Sequence, residues 1–205
     1  MKFEITSSPS SYLKVDFEKN EKIIIEKGCF IYSSGEYEFE NKIEVKGVKN
    51  ILAKFLSDKS LVYNVFKAKE NLEMLFSCRD TAEIFSLEVL NNKPIMLTAS
   101  LHFARTGDIK IIPGGFKNDF YVKTEGNGIL FLKAYGKIIE KNINSTKPIY
   151  VDEDAVIAFE EKLNYEWITG GMKKLLTSGE GALYKFSGIG KLWIQTKDEI
   201  EYKKD

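Results

Sequence analysis

The sequence predicts an all-β fold of three tandem β-sandwich units, with one or two short helices. Three observations carry that expectation. Short runs rich in β-branched and aromatic residues recur about every ten residues, bounded by turn residues. Helical periodicity is rare. A three-part order of segments also recurs three times along the chain, and such self-similarity is the mark of a repeated fold.

The elements follow in order. Each unit opens on a strand: YLKVDFEKNEK, IFSLEVLNNK and IIEKNINSTK. An apolar triplet comes next, at Ile23-Ile24-Ile25, Ile95-Met96-Leu97 and Ile149-Tyr150-Val151. After three mostly polar or small residues a second run begins, at Cys29 to Tyr32, Leu101 to Ala104 and Ala155 to Ala158. A third lies near Glu36 to Phe39, Asp108 to Ile112 and Leu163 to Trp167. The closing segments FYVKTEGNGILFLK and ALYKFSGIGKLWIQ align without a gap, Gly126 on Gly188, Gly128 on Gly190, Phe131 on Trp193 and Leu132 on Ile194. LVYNVFKAKENLEMLF fills this place in the first unit without the glycines. The units therefore span about 12–80, 83–136 and 137–198 of a single 1–205 domain. Ile51, Leu52, Phe55 and Leu56, and more weakly Met172, Leu175 and Leu176, have the spacing of two short helices that must pack on a sheet. Gly126-Asn127-Gly128 and Gly188-Ile189-Gly190 suit tight hairpin loops, which need φ > 0.

Composition narrows the function. The 205 residues are 43% hydrophobic, enough for a packed core, and 30 basic residues balance 30 acidic ones. Zero net charge argues against a general polyanion binder, so nucleic acid is not an expected partner. Lysine-rich places remain at Lys42, Lys46, Lys49 and Lys54, at Lys173-Lys174 and at Lys203-Lys204, interleaved with acidic residues. Arg79 and Arg105 are the only arginines and Gln195 the only glutamine. No stretch is long and apolar enough for a membrane helix, and MKFEITSSPSSYLKV has no signal-peptide core. The expected compartment is the cytoplasm. Two cysteines, Cys29 and Cys78, are too few for a stapled secreted scaffold. They suit reduced core thiols, with a Cys29–Cys78 bridge left open to geometry.

The chemical candidates are sparse. His102 is the only histidine, flanked by Leu101 and Phe103, so it has no second histidine for a metal site. The cysteines form no CxxC pair. Asp152-Glu153-Asp154 suits a solvated turn and lacks EF-hand spacing. Glu160-Glu161 carries no signature of a catalytic carboxylate pair. The GxG pairs precede no helix, so they do not suit a phosphate loop. No catalytic, cofactor-binding or metal-ligating residue is assigned, and no enzymatic activity or cofactor is expected.

The C-terminal segment LLTSGEGALYKFSGIGKLWIQTK resembles the closing motif of the mitochondrial-biogenesis family named for altered inheritance of mitochondria. The matching residues are Leu176, Ser178, Gly179, Glu180 and Gly181, then Phe186, Gly188, Gly190, Trp193, Gln195 and Thr196. Gly28, Ser34 and Gly35 fit the family's opening, and FLSDKSLVYNVFKA is similar to a first copy of the motif with Asp58-Lys59 in place of glycine-glutamate. The resemblance implies a threefold-repeated β-sandwich about a pseudo-threefold axis, its units like the subunit of the tryptophan RNA-binding attenuation protein. It implies no enzymatic activity. Mitochondrial members are linked to inner-membrane organisation, and this chain resembles a prokaryotic relative.

The expected function is binding or scaffolding without catalysis. A small-molecule or RNA-binding module is the alternative, because the attenuation-protein subunit binds tryptophan between adjacent units. A cupin-like enzyme is a second alternative and would need several histidines. Self-association is expected, with a trimer as first choice, since sheet edges must be covered, paired or charged. Trp193 and Tyr184 are amphipathic enough for an interface, or belong to the core.

Overall fold

The computed structural model describes residues 1–7, 10–43, 62–78, 81–114, 121–168 and 182–197. Alternation explains why strands form. In β2 (Tyr12–Phe17), Leu13, Val15 and Phe17 are buried while Tyr12, Lys14 and Asp16 face away. β3 (Lys22–Glu26) buries Ile23 and Ile25, and β7 (Leu72–Ser77) buries Leu72, Met74 and Phe76.

The first stretch, preceded by β1 (Lys2–Thr6), also holds β4 (Phe30–Ser33), β5 (Tyr37–Ile43) and β6 (Val62–Ala68). The second holds β8 (Glu83–Val89), β9 (Ile95–Thr98), β10 (His102–Arg105), β11 (Lys110–Pro113), β12 (Tyr121–Glu125) and β13 (Gly128–Ala134). In the third the strands fuse: β14 (Ile138–Asp152), β15 (Val156–Glu160), β16 (Asn164–Ile168) and β17 (Leu183–Gln195).

Among the described residues every strand pairing is antiparallel, and the order of pairing is alike along the three stretches. In the first, β2 pairs β7, β7 pairs β4, β3 pairs β6 and β6 pairs β5. In the second, β8 pairs β13, β13 pairs β10, β9 pairs β12 and β12 pairs β11. In the third, β17 pairs β15, β16 and both halves of β14. A bulge falls between Phe30 and Tyr32 in β4, between His102 and Ala104 in β10, and between Val156 and Ala158 in β15. Successive stretches join through one further pairing: β3 with β10, Ile25 opposite Ala104, and β9 with β15, Leu97 opposite Ala158.

Sheets therefore straddle the stretches. The order β5-β6-β3-β10-β13-β8 takes three strands from each of the first two, and β11-β12-β9-β15-β17-β14 joins the second to the third. The remaining sheet, β1-β2-β7-β4, ends on β4. Closure about a threefold axis within one chain would pair β4 with the second half of β14, and these strands do not pair. The core divides accordingly. One cluster centres on Leu13, Phe76 and Phe103, a second on Leu97, Leu132 and Trp193, and a third on Phe159, Tyr184 and Phe186.

One expectation changes. The GxG segments are not hairpin loops. Gly126-Asn127 carries the chain from β12 in one sheet to β13 in another. At Gly188 and Gly190 the chain stays one strand, β17, whose pairing passes from β16 and late β14 to β15 and early β14. A change of sheet at Gly126 and the change of partners along β17 at Gly188 need the same freedom as a turn: Gly126 has φ +97° and Gly188 +104°. The helices expected at 51–56 and 172–176 lie outside the described residues. Among the described residues, the 3-10 turns Ala99–Leu101 and Glu153–Ala155 are the helical pieces, and no helix is long and apolar enough to cross a membrane.

Substitution should separate the two bends. A Cβ at Gly126 would lie 2.6 Å from the Asp108 carbonyl oxygen, whereas at Gly188 its nearest neighbour is Asn164 Nδ2 at 3.5 Å. Gly126→Ala is expected to cost about 2 kcal/mol or more and Gly188→Ala about 1 kcal/mol, read from urea denaturation midpoints. Equal costs would remove the steric argument.

Candidate functional site

A group of buried polar side chains lies where the first two stretches join. Tyr63 (β6), His102 and Arg105 (β10) and Lys133 (β13) are buried, and with the part-exposed Glu26 (β3) they come from four adjacent strands of the β5-to-β8 sheet. The register builds the group: Glu26 stands opposite Tyr63, and Ile24 opposite Arg105. Arg105 is 1% exposed. Its Nε donates to the Ile109 carbonyl at 3.1 Å, and its terminal nitrogen meets His102 Nε2 at 3.2 Å. The guanidinium carbon sits 5.0 Å from the Tyr63 ring centroid, and Tyr63 meets the His102 ring edge-on at 4.8 Å. Lys133 Nζ contacts Glu26 Oε2 at 2.8 Å and Oε1 at 3.1 Å.

Burial holds the His102 imidazole well below its ordinary pKa, and the positive charges of Arg105 and Lys133 push it further. It is neutral at pH 7. Since Nε2 accepts from Arg105, the proton belongs on Nδ1, which has no hydrogen-bond partner among the described residues. A neutral imidazole between two cations is a poor proton acceptor. The arrangement suits a packed electrostatic joint better than acid–base chemistry.

The second joint makes the comparison. There Tyr121 stands opposite Thr98 as Tyr63 stands opposite Glu26, and Phe159 is opposite Met96 as Arg105 is opposite Ile24. Tyr121 packs edge-on against Phe159 at 5.1 Å. One joint thus uses a cation against its tyrosine and the other an aromatic ring.

The sequence candidates fall elsewhere. Cys29 is buried and Cys78 half-buried, both as thiols rather than a bridge. In the acidic turn, Asp152 Oδ1 accepts from the Asp154 amide at 2.9 Å, capping the 3-10 turn, and Glu153 accepts from Trp167 Nε1 at 3.2 Å. Glu160 pairs with Lys162 and Glu161 with Lys123. Among the described residues no group of three His, Cys, Asp or Glu is placed to hold a metal ion. Lys46, Lys49, Lys54, Lys173-Lys174 and Lys203-Lys204 lie outside the described residues. Of the two rings suited to an interface, both belong to the core: Tyr184 is buried, and Trp193 is buried with Nε1 bonded to Glu140 at 3.0 Å. Sequence patterning does not single out Arg105 or Lys133 as members of a site. The rarity of arginine is the one signal for Arg105.

The motif residues have structural work. Gln195 Oε1 accepts from the Tyr135 amide at 3.0 Å and its Nε2 donates to the Asp154 carbonyl at 2.8 Å. Thr196 Oγ1 accepts from the Lys137 amide at 2.8 Å. Together they tie the end of β17 to the start of β14. Leu176 to Gly181 lie outside the described residues.

Comparison with known proteins agrees with this architecture. The sequence profile of the family described as "Mitochondrial biogenesis AIM24" matches residues 3–197. An uncharacterised protein of Streptococcus pyogenes serotype M6 is 23% identical over 214 residues, spanning 96% of this chain and 86% of its own. A second S. pyogenes protein, solved by X-ray crystallography, superposes with a TM-score of 0.75 at 20% identity. That match covers 98% of this chain and 96% of the solved one, and the likeness is one of fold.

The neutral histidine has a measurable consequence. Its folded pKa lies below the unfolded value of about 6.5, so below that pH the unfolded chain binds a proton the folded chain refuses. Stability is expected to be full above pH 7 and to fall between pH 6.5 and 5, by at most about 1.4 kcal/mol per pH unit. His102→Phe should flatten that slope whatever its effect on absolute stability. An unchanged slope in denaturation at pH 7, 6 and 5 would place the titration elsewhere.

Proposed function

The chain belongs to the mitochondrial biogenesis AIM24 family, and from that premise we propose a non-enzymatic binding or scaffolding protein of three tandem units that associates with itself. We take the units as about 12–80, 83–136 and 137–198, each resembling the attenuation-protein subunit. The shared order of pairing and the shared place of the bulge support that division. They do not by themselves close a pseudo-threefold ring, so we treat the units as a series with two open ends.

The observation that carries the reading is the use made of the polar cluster at the first joint. His102, Arg105, Tyr63, Lys133 and Glu26 hold two stretches together, and the equivalent place in the next joint is filled by Phe159 and Tyr121. The second joint keeps the strand pairing without any such polar group, which supports a structural use of the cluster. The lone histidine also weighs against a cupin-like enzyme. The thiol state of Cys29 and Cys78 supports a cytoplasmic setting. The alternative is a small-molecule or RNA-binding module, by analogy with the tryptophan held between adjacent attenuation-protein subunits.

Two measurements test this. Light scattering on the eluting protein at micromolar concentration is expected to give a multiple of 23.4 kDa, with three chains as first choice; 23.4 kDa itself would end the self-association reading. Thermal-shift screening against amino acids, nucleotides and short RNAs is expected to leave Tm unmoved. A shift of several degrees with one of them would favour the binding module, since a ligand at a hundredfold its Kd adds about 2.7 kcal/mol.

A further inference from the structure

We propose that the second half of β14 in one copy pairs antiparallel with β4 of a second copy, remaking head to tail the joint that each chain already makes twice within itself. The proposal rests on the self-association reading and supplies its contact surface.

Each internal joint completes a six-stranded sheet from two half-sheets. The half ending on β3 meets the half beginning on β10, and the half ending on β9 meets the half beginning on β15. Two halves remain. Late β14, with β17 and β16, has the pairing of the first kind. β4, with β7 and β2, has that of the second. Among the described residues both end on an unpaired edge, and they are complementary halves of the sheet the chain has built twice.

Exposure marks the same two edges. Within the joints the strand corresponding to β4 is covered: Phe103, Ala104 and Ile157, Ala158 are all buried. The residues in those positions of β4, Ile31 and Tyr32, are 50% and 41% exposed. Met96, at the joint of β9, is buried, while its counterpart Tyr150 is 55% exposed. Apolar side chains that are core at a completed joint are thus left in water where the joint is missing.

Charge marks them too. Other end strands carry ionised residues that discourage pairing: Lys2 and Glu4 on β1, Glu38 and Glu40 on β5, Lys110 on β11. β4, Phe-Ile-Tyr-Ser, has none, and in late β14 Ile149, Tyr150 and Val151 form an uncharged run between Lys147 and Asp152. The core supports contact between copies rather than within one. Its first cluster draws on no buried residue beyond Phe131, and its third on none before Met96. The internal registers set the expected one, with Val151 opposite Tyr32 and Tyr150 opposite Ser33. This contact uses two different surfaces, so it builds a ring or an open chain of copies rather than a two-fold dimer.

The test uses two solvent-side substitutions and one pair of cysteines in the full chain. Ile31→Lys and Tyr150→Lys should each bring the light-scattering mass down to one chain while keeping the strand-type circular dichroism of the parent. Ser33→Cys and Tyr150→Cys should form a disulfide-linked dimer when the two single variants are mixed under mild oxidation. Neither alone should do so beyond the parent, which carries Cys29 and Cys78. Directly opposed residues have Cα separations of about 4.5–5.5 Å, within disulfide range. A multiple-chain mass that survives both lysines, with no cross-link on mixing, overturns the edge pairing and leaves self-association standing. A single-chain mass for the parent overturns both. A cross-link formed only within one chain by the double variant Ser33→Cys/Tyr150→Cys would place the third joint inside the monomer and also overturns the proposal.

Discussion

An extended strand carries hydrogen-bonding groups along both edges, and a buried strand must satisfy both. In this chain β3 and β9 meet one edge inside their own stretch, through β6 and β12, and have no second neighbour there. The second edge is met by the bulged strand of the next stretch. Much else depends on that handover. It makes the sheets straddle the stretches, and it places Phe103 and Ala104, together with Ile84 and Phe131, in a core otherwise built from the first stretch, with Arg105 buried next to them in sequence.

Burying a guanidinium and an ammonium in one sheet is costly unless the charges find partners. Here the cost is divided. Arg105 is met by a carbonyl, a neutral imidazole and a tyrosine face, while Lys133 reaches Glu26, which is itself more than a third exposed. Burial first, and then the same positive field, hold His102 well below its ordinary pKa. In the second joint Phe159 and Tyr121 need no such arrangement, and the strand geometry is kept. The backbone pairing is therefore the constant of the joint and the side chains are its variable.

The glycines serve the other recurrent demand, passage from one set of strand partners to the next. In the second stretch the backbone breaks at Gly126 and resumes at Gly128, whose added Cβ would run into the Thr106 carbonyl oxygen. In the third, β17 bends through Gly188 and Gly190 without a break, and a Cβ on Gly190 would meet Leu163 and Glu160. Two different local solutions keep the same neighbours because the pairing partners on both sides hold the chain's course.

Local patterning in the sequence determined a good deal by itself. Alternation at Leu13, Val15 and Phe17, the apolar triplets, and the alignment of Phe131 with Trp193 identify strands and their order, because period two and side-chain branching act over a few residues. In the structure Phe131 stands opposite Ala104 and Trp193 opposite Ala158. The sequence could not say that one glycine pair switches sheets and the other bends a continuous strand instead of turning hairpins, since φ > 0 serves all three. Nor could it bring Tyr63, His102, Arg105 and Lys133 together, because their contact depends on the register of strands up to 70 residues apart. Whether Tyr184 and Trp193 are core and Ile31 and Tyr150 are exposed was likewise decided by the tertiary structure alone. All four lie on strands, and only the presence or absence of a neighbouring strand separates a buried ring from one left in water.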